Sequence, residues 1–133
     1  MNPKRKIIMV STLLGLALAA ASTLTVHPMS PPARNEQRVI SLFMGARARV
    51  EGCCVSAVHL QNGVVLLPDK PAKVVGYIFT LRSAGSGFGL EAVPEQYAIT
   101  GWRCFFVDQS GVIRSEWQKH ATSNSPSIQD PQH

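Results

Sequence analysis

Val74-Val75-Gly76-Tyr77-Ile78-Phe79-Thr80-Leu81-Arg82, then Ser83-Ala84-Gly85-Ser86-Gly87, then Phe88-Gly89-Leu90-Glu91-Ala92-Val93 is the stretch that decides how this chain folds. Val74 to Arg82 is rich in β-branched and aromatic residues, and a period of two puts Tyr77, Phe79 and Leu81 on one face and Ile78 and Thr80 on the other. The glycine-rich pentapeptide is a flexible turn, and Phe88 to Val93 returns as the partner strand, with Leu90 and Ala92 alternating against Gly89, Glu91 and Val93. Downstream, Trp102 to Val107 and Val112 to Trp117 flank Asp108-Gln109-Ser110-Gly111, a turn with glycine where a positive φ is needed, which predicts a second hairpin.

Upstream, Val64-Val65-Leu66-Leu67 is a short apolar run after the turn signal Asn62-Gly63, and Lys70, Pro68 and Pro71 make the next connection a loop. Before it, Val39, Phe43, Ala46 and Val50 recur at spacings of three and four, with Ile40 and Met44 widening the stripe. Asn35 as cap and Glu36 in the first turn predict an amphipathic helix over roughly Glu36 to Cys53. Pro28, Pro31 and Pro32 break the backbone ahead of it. The predicted fold is α+β: an amphipathic helix packed on a small antiparallel sheet of about four strands over residues 35–118, after a Pro-rich linker at 28–34. Residues 119–133 are polar with two prolines and no apolar stripe, and are expected to be disordered.

The N-terminal segment, residues 1–27, sets the compartment. Lys4, Arg5 and Lys6 precede Ile7 to Val26, an uncharged run whose helical rise would give roughly 30 Å, enough to cross a hydrocarbon core. The basic residues on one side of the run put the N-terminus in the cytoplasm and the rest of the chain outside, anchored in the inner membrane by a single pass. Ala19 and Ala21 have the small-residue spacing that signal peptidase accepts, so a secreted or periplasmic product is the alternative. Apolar character continuing through Leu24 and Val26 favours the anchor.

Of the formal net charge of +5, three charges belong to that basic cluster, which leaves the exported part near +2. Arg34, Arg38, Arg47 and Arg49 are interrupted by Glu36 and Glu51 and read as a solvated helix face, so no nucleic-acid partner is expected. Cys53, Cys54 and Cys104 lie in the exported part, where thiols are usually oxidised. A bond from Cys104 to Cys53 or Cys54 would be worth on the order of 4 kcal/mol by loop entropy, and free, buried cysteines are the alternative. No two of His27, His59, His120 and His133 have metal-ligand spacing, and Cys53-Cys54 is adjacent rather than separated, so neither a metal nor a cofactor is expected. A nucleophile pair of Cys54 with His59 or His120 would have to meet in space. Trp102, Trp117 and the neighbouring aromatics supply core, and any exposed minority of them is a candidate contact surface.

Gly76-Tyr77-Ile78-Phe79-Thr80-Leu81, Glu91-Ala92-Val93-Pro94 and Thr100-Gly101-Trp102-Arg103-Cys104-Phe105-Phe106-Val107-Asp108-Gln109-Ser110-Gly111-Val112-Ile113-Arg114 together resemble the C-terminal sheet of bacterial type IV pilin-like and pseudopilin-like proteins. The resemblance implies a long N-terminal helix, a four-stranded antiparallel sheet, the cytoplasmic membrane and other pilin-like or secretion-system subunits as partners, and no enzyme activity. Lys6 runs straight into Ile7, without the glycine and the Phe-Thr-Leu-Ile-Glu motif that prepilin peptidase uses. The expected function is that of a membrane-anchored or exported structural and interaction protein, an accessory of a type IV pilus or type II secretion filament. A secreted peptide- or protein-binding module and a small exported thiol enzyme are the alternatives.

Overall fold

The computed structural model describes residues 28–129. Lys4, Arg5, Lys6, the apolar run and the cleavage positions Ala19 and Ala21 therefore lie outside the described residues. The helix α1, Pro31–Met44, begins where the prolines were read as breakers, because Pro31 and Pro32 occupy its first turn, where no intrahelical N–H is required. Its buried residues include Pro32, Glu36, Val39 and Phe43, spaced four, three and four apart, so they form one stripe.

The helix stops at Met44 and the chain turns into strand β1, Arg47–Glu51, which corrects the expectation of a helix running to Cys53. Ala46 and Val50 keep the helical period, but Val50 is exposed and contributes nothing to a buried stripe. What captures the segment is its neighbour β2, Cys54–His59, paired antiparallel across a two-residue turn led by Gly52 at φ 64. β3, Val65–Leu66, completes a three-stranded sheet in the order β1-β2-β3.

Next come β4 at Ala72–Val74, β5 at Tyr77–Ala84, β6 at Gly87–Pro94, β7 at Arg103–Asp108 and β8 at Arg114–Trp117, hydrogen-bonded in sequence order as a five-stranded antiparallel sheet. The β5–β6 and β7–β8 hairpins pair where alternation predicts them. The run from Val74 is not one strand, however. Val75 and Gly76 both have positive φ and form the two-residue turn between β4 and β5, a conformation that suits Gly76 and is costly for a β-branched valine.

Among the described residues the architecture is thus mostly antiparallel sheet, two sheets and eight strands with one 14-residue helix, and not the α+β pilin with a long helix on a single four-stranded sheet. No helix among the described residues is long and apolar enough to cross a membrane. The core lies between the sheets and α1: Val39 and Phe43 from the helix, Val58 and Leu66 from the smaller sheet, and Tyr77, Phe79, Leu90 and Phe105 from the larger. Phe43 meets Phe79 edge to face with ring centroids 5.7 Å apart. Full burial of a phenylalanine of this kind contributes roughly 1.5–3 kcal/mol.

The polar segment expected to be a disordered tail is instead laid alongside β8 as far as Gln129. Ser115 donates its backbone N–H to Pro126 and Ile128 donates to Ile113, while Arg114 Nη1 donates to the Ser125 carbonyl at 2.8 Å. Ala121 and Ser125 are buried by this path.

Candidate functional site

Among the described residues, Glu36 is the one charged residue that is buried. Its place on α1 follows from the stripe it shares with Val39 and Phe43, which aims its carboxylate at the point where the loop after β6 becomes β7. Oε1 accepts the backbone N–H groups of both Trp102 and Arg103 at 2.9 Å, and Oε2 accepts Arg103 Nε at 3.2 Å with Nη2 3.1 Å away. One residue earlier, Asn35 Nδ2 donates to the Thr100 carbonyl at 2.9 Å, and on the other side the Tyr77 hydroxyl donates to the Arg103 carbonyl at 2.9 Å. Charge-assisted bonds of this number hold a loop end far more firmly than a surface ion pair does.

What this framework presents to solvent is aromatic. Trp102 and Trp117 are 38% and 56% exposed, and Ile99 in the adjoining loop is 63% exposed. Trp117 is the register partner of Arg103, whose guanidinium carbon stands 5.7 Å from the Trp117 ring centre and 5.0 Å from that of Phe105. Gln118 donates its N–H to the Trp102 carbonyl, which ties the two tryptophan-bearing segments together. The exposed aromatic residues are thus Trp102, Trp117 and Tyr97.

The groups that could do chemistry are placed differently. On the sheet face away from α1, His120 Nδ1 lies 3.0 Å from both carboxylate oxygens of Glu91, beside a cleft of about 380 Å³ lined also by Thr80, Arg82 and Phe106. Cys54 and His59 are five residues apart on β2, roughly 16 Å along an extended strand, which is too far for the two side chains to pair. His120 is on the other sheet, engaged by Glu91, so the Cys54–histidine pairing is not assembled. Among the described residues no group of three or more His, Cys, Asp or Glu side chains could hold a metal ion.

The three cysteines stand as free thiols rather than a disulfide: Cys53 exposed at the β1–β2 turn, Cys54 half-buried in the smaller sheet, Cys104 buried in the larger one. Cys104 lies on the other sheet from Cys53 and Cys54, and its Sγ is taken up by a 2.9 Å hydrogen bond with the Tyr97 hydroxyl. Burial pushes the Cys104 thiol above its ordinary pKa, with the Tyr97 hydrogen bond opposing and the Glu91 charge adding, and a hydrogen bond with Cys53 raises Cys54 ahead of desolvation. Both shifts favour the thiol over the thiolate that nucleophilic chemistry needs. In native protein a maleimide should therefore label Cys53 first and leave Cys104 untouched until the fold opens. Equal labelling of all three before unfolding, read by peptide mass, would contradict this placement.

Sequence reasoning treated Glu36 only as a favourable charge in a first helical turn and missed its role. The signal was its position: a lone acid at the same three- and four-residue spacing as Val39 and Phe43 must either break the stripe or find a buried partner. Comparison of the chain with protein-family models, with curated proteins and with solved structures finds no match.

Proposed function

We propose that this chain is an exported, non-catalytic contact domain, held at the outer face of the cytoplasmic membrane by its N-terminal apolar segment, that binds a protein partner through Ile99, Trp102 and Trp117. The observation that carries the reading is the exposure of two tryptophans at a point whose backbone is pinned from beneath by Glu36. Tryptophan and arginine dominate binding energy at protein interfaces, and a side chain already fixed by its scaffold loses little freedom on binding. Glu36, Glu91 and His120, by contrast, are spent on internal partners, and Cys54 and Cys104 are held toward their thiol forms. The resemblance of the segments around Tyr77 and Trp102 to pilin-like and pseudopilin-like proteins supports a partner among the subunits of a type IV pilus or type II secretion filament, with this chain as an accessory.

The test is a photo-reactive residue placed at position 99 of the full chain in a Gram-negative envelope that carries such a filament system. The expected product is an adduct with a filament subunit, reduced about ten-fold or more by Trp102→Ala with Trp117→Ala, since loss of one strong hot spot costs about 2 kcal/mol or more. Adducts insensitive to the two substitutions would remove the aromatic surface from the reading. The mass and N-terminus of the same product decide the anchor: intact protein in the inner membrane supports it, and a periplasmic product starting near Ser22 replaces it with a soluble binding module.

A further inference from the structure

Arg34 and Arg38 change meaning once the acids near them are located. Glu36 is turned inward onto Arg103, and Glu51 is paired with Arg49 at 3.0 Å, so neither acid offsets the outer face of α1. Arg34 and Arg38, four residues apart and both exposed, have no carboxylate partner among the described residues. They line a groove of about 470 Å³ whose polar rim also carries Gln37, Ser41 and Asn62 and whose apolar lining is Leu42 and Val75. The groove offers two guanidinium groups, two amides and a hydroxyl, and no carboxylate. Asn62 Oδ1 already accepts the Val64 N–H, so its free capacity is its N–H donors. Donors of this kind around paired arginines suit phosphate oxygens.

The position of the groove along the chain says which phosphate. Four residues separate Val26, the end of the apolar run, from Pro31, the first residue of α1, so the helix starts within roughly 18 Å of that run at the fullest extension of the backbone. Arg34 lies in the first turn of α1, and its Nη2 donates to the Met29 carbonyl at 3.2 Å, which draws the guanidinium back toward the connecting residues. We infer that the Arg34–Arg38 groove docks on the phosphate groups of anionic lipids in the outer leaflet of the membrane, laying α1 along the surface and leaving the tryptophan-bearing end of the larger sheet for a protein partner. The inference rests on the membrane-held reading above.

The test uses the full chain reconstituted in vesicles of phosphatidylcholine alone or with phosphatidylglycerol added, and measures phenylglyoxal modification of each arginine by peptide mass, with exposed Arg82 as internal reference. The expected result is that Arg34 and Arg38 react about ten-fold more slowly in the anionic vesicles, as expected for basic residues held in the headgroup layer, and that high salt restores their rates. Protein that floats with both vesicle types but shows equal rates in each overturns the docking and leaves the anchor standing. Protein that floats with neither overturns the anchor and the docking together. Protection by inorganic phosphate in the absence of lipid, equal to that by anionic vesicles, makes the groove a free-anion site and overturns docking on the membrane.

Discussion

Glu36→Ala is expected to destabilise the domain by about 3–5 kcal/mol, the range found when one partner of a buried ion pair is removed. The substitution strips the acceptor from two backbone N–H groups and the counter-charge from Arg103, whose side chain is only 20% exposed. Because the whole of a small domain is held by about 5–15 kcal/mol, the loss would take a large part of it. Denaturant titration followed by tryptophan fluorescence measures it, since Trp102 belongs to the segment that is released. Glu36→Gln should fall between the two: its carbonyl can still accept from the Trp102 and Arg103 N–H groups, but the guanidinium loses its anion. Adding Arg103→Met to Glu36→Ala should recover part of the stability by removing the stranded charge. A cost below about 1 kcal/mol for Glu36→Ala would mean that water satisfies these groups, and that the tryptophan surface is not held from beneath.

The second large effect is at Gly101. A methyl group built there would overlap the hydroxyl and ring of Tyr77, and Tyr77 is fully buried with its hydroxyl committed to the Arg103 carbonyl. The ring has Phe105 beside it at a centroid distance of 6.0 Å, so it has no open direction in which to retreat. Gly101→Ala is expected to cost about 3 kcal/mol, at the upper end of what overpacking does. The cause can be isolated with a double-mutant cycle, because Tyr77→Phe removes the atom nearest the new methyl. Gly101→Ala should be milder in the Tyr77→Phe background than in the parent chain, and strictly additive effects would show that the strain lies elsewhere. Burial, and then the Glu36 charge, also keep the Tyr77 phenol protonated above its ordinary range.

The parts of this fold that could be read locally are those whose signal is local. Tyr77, Phe79 and Leu81 alternate with polar or half-buried neighbours, and the turn at Gly85-Ser86 is compact enough to force the return, so the β5–β6 hairpin follows from its own residues. Arg47–Glu51 is the opposite case. Its residues keep the helical period of Val39 and Phe43, and only pairing with Cys54–His59 makes it a strand, an interaction that periodicity does not encode. The same segment shifts the class from α+β to mostly antiparallel sheet.

Residues 119–129 were misread for a related reason. Their composition is polar, but what seats Ser125 to Ile128 is backbone hydrogen bonding to Ile113 and Ser115, to which composition is blind. At the candidate site, the tryptophans were visible as surplus aromatic area, whereas Glu36 needed the observation that an acid stood in register with the apolar stripe. Arg34 and Arg38 were visible as charges. Their meaning depended on where Glu36 and Glu51 point, which is a three-dimensional fact.

The placement of Ser125 to Ile128 beside β8 has a consequence for assembly. Those residues fill the last open rank of main-chain donors and acceptors on that flank of the larger sheet, and the opposite flank, Ala72–Val74, is three residues long with Pro71 and Lys73 in or beside it. Both rims are thus poor templates for another chain. This sheet is terminated rather than extensible, so copies of the domain are not expected to polymerise through it by strand addition, and the exposed edge strand β1 of the smaller sheet is the rim left for such pairing.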